Sequence, residues 1–136
     1  MPVADTELLF ALNPKDKKHE LALELISRMR GIKVPDVVLL EFVVVLRARG
    51  RSPREIREAL NAFRDIFEAY RIREVKTLDA NLLVLQSSIE ETYGLTFFDS
   101  LVAASALRLD QAVISDDAAF AKVPGLALIP ISKHRP

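Results

Sequence analysis

The segment from Phe97 to Phe120, FFDSLVAASALRLDQAVISDDAAF, changes its structural period partway along. From Asp99 to Leu109 small and apolar residues follow one another with helical spacing. Residues 112–115, AVIS, then read as a short apolar strand, and Asp117 opens a second short helix. A strand entered from one helix and left into another belongs to a crossover connection, the mark of a parallel sheet. The same segment sets carboxylates at its joints: Asp99 at the front of the helix, Asp116 and Asp117 directly after the strand.

The pattern repeats in both directions from there. PVAD (2–5) is a minimal strand and TELLFALN (6–13) a helical turn ended by Asn13-Pro14. Lys15 to Arg30 reads as a helix stopped by Gly31, and IKVP (32–35) as a second strand. Asp36 precedes a helix running to about Arg49 and closed by Gly50. Ser52 caps the next helix, with Pro53 in its first turn and Glu55 at the capping-box position, and this helix reaches about Tyr70. IREVKTL (72–78) is the third strand, followed by a helix opened by Asp79 and broken at Gly94. After the Pro124-Gly125 turn, ALIPI (127–131) is the fifth strand. Short strands alternating with helices predict an α/β fold, a three-layer α/β/α arrangement around a short, mostly parallel central sheet. No repeat or linker divides the chain, so residues 1–136 read as one domain. In such sheets ligands bind beyond the carboxyl ends of the strands, where Asp5, Asp116 and Asp117 lie.

The 136 residues, half of them hydrophobic, suffice for a core without covalent staples. With no cysteine, disulfides, thiolate metal sites and thiol nucleophiles are excluded. The first ten residues lack a signal-peptide pattern, and VVLLEFVVVL (37–46), the longest apolar run, is too short to span a bilayer. A cytoplasmic location without a membrane partner is the expectation. Basic and acidic residues number 19 each, so net charge points to no partner. Lys15, Lys17 and Lys18 form one basic group, and Arg47, Arg49, Arg51, Arg54 and Arg57 another. Such groups are ordinarily solvated faces, informative only beside a site for an anion.

Asp5, Asp99 and the Asp116–Asp117 pair each have an ordinary reading as helix caps or turn residues. Glu41 does not. It interrupts a helix that is apolar nearly all round, which predicts burial between layers. A buried carboxylate without a partner costs several kcal/mol, and no basic residue stands one turn away at 37, 38, 44 or 45. Either an ion pair from another segment or a functional role accounts for it. Several acids sharing one cavity repel and take up protons unless a cation holds them. An all-oxygen donor set suits magnesium or manganese, and such ions support hydrolysis of phosphodiesters. His19 reads as a surface or capping residue and His134 lies in the tail; neither belongs to a catalytic triad. No glycine builds a phosphate loop. Phe97 and Phe98 read as core, with stacking on a base as the sharper alternative.

Four motifs in order resemble the PIN domain family, in particular its small ribonuclease toxins of the VapC type: ADTELLFAL, DVVLLEFVVVL, FFDSLVAASAL and ISDDAAF. The resemblance implies a PIN-like nuclease fold. It implies that Asp5, Glu41, Asp99 and Asp117 are metal-binding catalytic acids, with Asp116 an additional or substitute ligand and Thr6 and Ser115 supporting hydroxyls. It further implies a hydrolase, an endoribonuclease using Mg2+ or Mn2+ and leaving a 5′-phosphate and a 3′-hydroxyl. A homodimer and, for a toxin, a separate antitoxin protein are the partners it suggests besides RNA. Glu7 departs from the pattern, since many members carry asparagine there. Lys15, Arg47 and Arg49 are then candidates for substrate binding, offsetting the repulsion between acids and RNA phosphates.

Two other readings stay open: a PIN-like interaction module that cuts nothing, and a housekeeping RNA-processing nuclease rather than a toxin. A receiver-type phosphoacceptor domain is excluded. It requires an aspartate ending the third strand, where this chain has Lys76-Thr77, and it leaves Glu41 unexplained.

Overall fold

The structure, a computed structural model, describes residues 1–132. Five short strands, β1 (Val3–Ala4), β2 (Lys33–Pro35), β3 (Arg73–Val75), β4 (Ala112–Ile114) and β5 (Ala127–Ile129), form a single sheet in the order β3-β2-β1-β4-β5. Every pairing is parallel, so the mostly parallel sheet expected from the alternation is wholly parallel. Six helices flank it: α1 (Thr6–Ala11), α2 (His19–Arg28), α3 (Asp36–Ala48), α4 (Pro53–Tyr70), α5 (Ala80–Tyr93) and α6 (Phe97–Leu109). A 3-10 turn (Ala118–Lys122) follows β4. Val3, Ala4, Val113 and Ile114 are completely buried, as expected for central strands covered on both faces, which read as unbroken apolar runs.

Local chemistry sets most of the boundaries. Ser52 and Glu55 form the reciprocal capping box at the start of α4, and Asp79 caps α5 by accepting from the Leu82 N–H. Gly94, at φ 72°, ends α5 in the left-handed conformation that glycine adopts without penalty. The carboxylate of Asp36 accepts from the Val37, Thr77 and Leu78 amides and the Thr77 hydroxyl, tying the start of α3 to the loop after β3.

The structure corrects four sequence expectations. Asp99 does not begin its helix: α6 starts at Phe97, Thr96 is the cap, and Thr96 Oγ1 accepts from the Asp99 N–H at 3.2 Å. The T-x-x-D spacing was the overlooked signal, since an acid at the third position suits a capped first turn. The helix expected from Lys15 starts only at His19, because the Asn13 and Asp16 side chains accept from the Lys15 and Lys18 amides and hold 13–18 in turns. Helix α3 is covered on one side only: Val37, Val38 and Phe42 are buried while Leu40 and Val44 are 49% and 43% exposed. Phe97, expected in the core, is 48% exposed. Among the described residues no helix is long and apolar enough to cross a membrane. His134 lies outside the described residues.

Candidate active site

Strand order reverses direction at the β1–β4 pair, so the chain leaves these neighbouring strands toward opposite sides and opens a crevice at their carboxyl ends. Asp5 follows β1 there and Ser115 follows β4, joined by a hydrogen bond from the Asp5 N–H to the Ile114 carbonyl. Asp5 is the cap of α1: its Oδ1 accepts from the Thr6 N–H at 2.8 Å, and its Oδ2 accepts from Ser115 Oγ at 2.8 Å. The residue is 6% exposed. Burial pushes its carboxyl up to about 7, and the charges of Asp99 and Glu41 add to the rise; the Ser115 and Thr6 donors oppose it.

The other acids arrive on separate elements. Glu41 is half-buried on α3, which packs beside α1, and the Thr6 hydroxyl donates to its Oε1. Among the described residues Glu41 has no basic ion-pair partner. Asp99, in the first turn of α6, is raised to about 6 by burial and then by the charges of Asp117 and Glu41, against a hydrogen bond from Thr96. Asp117 caps the 3-10 turn, accepting from the Ala119 N–H at 2.9 Å, while its own N–H donates to Ser115 Oγ at 3.0 Å. Completely buried, Ser115 thus links two of the acids.

Asp5, Glu41, Asp99 and Asp117 all line one open cavity of about 510 Å³. Thr6, Lys15 and Arg49 line it as well, whereas Arg47, exposed on α3, does not. Among the described residues no three acidic or histidine side chains are preassembled into an ion-coordinating group. The donor chemistry nonetheless fits a hard divalent ion. Every candidate ligand is a carboxylate oxygen, each Asp5 oxygen retains a lone pair beyond the donor it already accepts, and the mutual charge that raises Asp5 and Asp99 is of the kind a cation relieves.

Asp116 is engaged elsewhere. Its Oδ2 lies 2.8 Å from Lys18 Nζ and accepts from Ser132 Oγ; its Oδ1 accepts from the Ile131 and Ser132 amides. Burial opposes ionisation of this carboxyl, yet Lys18 and Ser132 hold it down to about 2. Glu7 completes the cluster, accepting from the Asp116 N–H at 2.6 Å and standing 3.5 Å from Lys18 Nζ. The acid that departs from the family pattern is therefore balanced by a lysine. No sequence signal announces this clamp, since its members lie far apart in the chain. His19 uses its ring against the Ala11 carbonyl, at 3.1 Å, to join the end of α1 to the start of α2.

Residues 3–126 match the PIN domain family, and the chain belongs to it. Solved structures of VapC-type proteins share the fold. VapC20 from Mycobacterium tuberculosis, described as a sarcin-ricin loop cleaving toxin, superimposes with a TM-score of 0.70 at 20% identity, over 89% of this chain and 93% of its own. A chain of VapBC2 from Rickettsia felis, solved bound to a promoter DNA fragment, gives 0.68 at 18% identity, over 94% and 96%. A chain of DNA-bound VapBC from Salmonella typhimurium gives 0.66 at 14%, over 96% and 99%. At these identities the likeness is one of fold. No curated protein sequence matches the chain significantly.

Proposed function

We propose that this chain is a divalent-metal-dependent endoribonuclease and the toxin of a type II toxin–antitoxin pair, working in the cytoplasm as one domain. The observation that carries the reading is the meeting of four carboxylates from four separate elements in one open cavity with cationic side chains beside them. Membership of the PIN family and the fold shared with VapC toxins support it.

Asp5, Glu41, Asp99 and Asp117 would hold magnesium or manganese. When bound, the ion supplies polarisation of the phosphodiester and a more acidic attacking water. The protein's part is to orient the acids. Ser115 and the Thr6 amide fix Asp5, and the Thr6 hydroxyl fixes Glu41. The Thr96 cap fixes the turn that carries Asp99. Lys15 and Arg49, with Arg47 farther out along α3, draw the RNA backbone toward an otherwise repulsive site. Water attacks phosphorus in line and the 3′-oxygen leaves, giving a 5′-phosphate and a 3′-hydroxyl. Asp116 serves this scheme as the anchor of the clamp with Lys18 rather than as a ligand. The uncovered apolar residues Leu40 and Val44 support association with a protein partner, a second copy or an antitoxin.

The test is manganese-dependent cleavage of single-stranded RNA by the parent and by Asp99→Asn. The variant is expected to keep its circular dichroism spectrum and to lose activity by more than the ~100-fold that removing an outer-shell partner costs. Equal cleavage by both sinks the mechanism, and a parent that cuts no RNA leaves an interaction module.

A further inference from the structure

Beside the acids the cavity carries a feature that metal chemistry does not use. The Arg49 guanidinium lies over the Phe10 ring, 4.8 Å from its centroid, and both residues line the cavity. Phe10 is itself backed by a row of rings: Phe42 at 4.9 Å, then Phe63 at 4.7 Å from Phe42, then Phe67 at 5.6 Å from Phe63 and nearly parallel to it. Phe42, Phe63 and Phe67 are buried, so Phe10 rests on the core. Arg49 occupies the C-cap of α3 and is exposed. Among the described residues its guanidinium is paired with no carboxylate. Its orientation therefore comes from the ring beneath it.

A phosphate contact alone needs only a positive charge, which a flexible lysine supplies as well. A guanidinium over an aromatic ring offers something else: a planar cationic group on which a second planar group can stack. Unpaired nucleobases are bound in this way, on aromatic rings and arginine planes. We propose that the Phe10–Arg49 stack is a nucleobase platform that seats one unpaired base of the substrate strand next to the four acids. This rests on the nuclease reading above and adds to it the requirement for a splayed, single-stranded substrate. Arg49 follows Glu41 by eight residues on the same helix, about 12 Å along its axis. The seated base therefore belongs to a nucleotide flanking the scissile one.

The experiment uses the full chain in EDTA, which blocks cleavage, with single-stranded RNA oligonucleotides carrying 2-aminopurine at each position in turn. Stacking is read as fluorescence quenching and affinity as anisotropy. The parent is expected to quench 2-aminopurine at a preferred position. Arg49→Lys, which keeps the charge, and Phe10→Leu, which keeps apolar bulk, are expected to abolish that quenching and to weaken binding roughly five- to tenfold. Arg49→Lys is an exposed change, so it separates loss of the platform from loss of the fold. Undiminished quenching and affinity in Arg49→Lys would overturn the platform and reduce Arg49 to a charge. Failure of the parent to cleave any RNA with manganese would instead remove the nuclease reading beneath it.

Discussion

Asp5 and Asp99 hold their protons to higher pH than free aspartates because burial and neighbouring carboxylates disfavour their charged forms. In the unfolded chain both titrate near ~3.9. Between about pH 4 and about pH 7 the native state therefore binds more protons than the unfolded state, and stability must fall as pH rises through that window. The metal-free protein should show a melting temperature that declines from about pH 4.5 to about pH 7.5. Asp5→Asn should flatten the decline, and added manganese should restore stability at the upper end, because ion binding to the native state alone stabilises it. Calorimetry across this range checks both; a parent whose stability rises steadily to neutrality would contradict the site's electrostatics. The individual acids were legible as residues that follow strands, stand at the front of a helix or interrupt an apolar one. The raised proton affinities of Asp5 and Asp99 were not, because these depend on burial and on charges brought together from distant positions.

At the scale of elements, the cluster of Lys18, Glu7 and Asp116 ties the turns before α2 to the start of α1 and to the segment after β5. Asp116 has a lowered native pKa, so its sign is opposite to that of Asp5. Its contribution is present above the unfolded value near ~3.9 and is lost as pH falls toward about 2. Asp116→Asn should cost roughly 0.2–1 kcal/mol at neutral pH, the range for partly exposed ion pairs. In urea titrations the difference from the parent should shrink below about pH 4. A cost that persists unchanged in acid would mean that packing, rather than the ion pair, holds the segment. Capping explains what was and was not readable at this scale. Ser52-Pro53 and Asp79 declared the starts of α4 and α5, whereas at α6 the expected opening residue, Asp99, gave way to Thr96. A threonine three residues ahead of an acid satisfies the cap and the first turn together, and that geometry prevailed.

Across the whole molecule, a balance of 19 basic and 19 acidic residues conceals a local asymmetry. The acids converge at the strand ends while Lys15 and Arg49 stand beside them. RNA binding should accordingly weaken with salt, and Lys15→Met should lower affinity while reducing the slope of log affinity against log salt by about 0.7, one released counterion on a single strand. Fluorescence anisotropy over a salt series measures it; an unchanged slope would remove Lys15 from the path of the backbone. The fold itself was readable because each strand–helix unit writes its own period into the chain. Right-handed crossovers then leave few ways to assemble parallel strands. By itself the sequence determined the alternating α/β architecture, most of the helix limits and the positions at which carboxylates leave the strands, since all of these follow from local spacing and capping. Only the tertiary structure decided that Arg49 rather than Arg47 lines the cavity, that Asp116 pairs with Lys18, that α3 keeps an uncovered side, and that Asp5 and Asp99 are raised. Each of these is a contact or a desolvation between segments distant along the chain, and no local pattern encodes it.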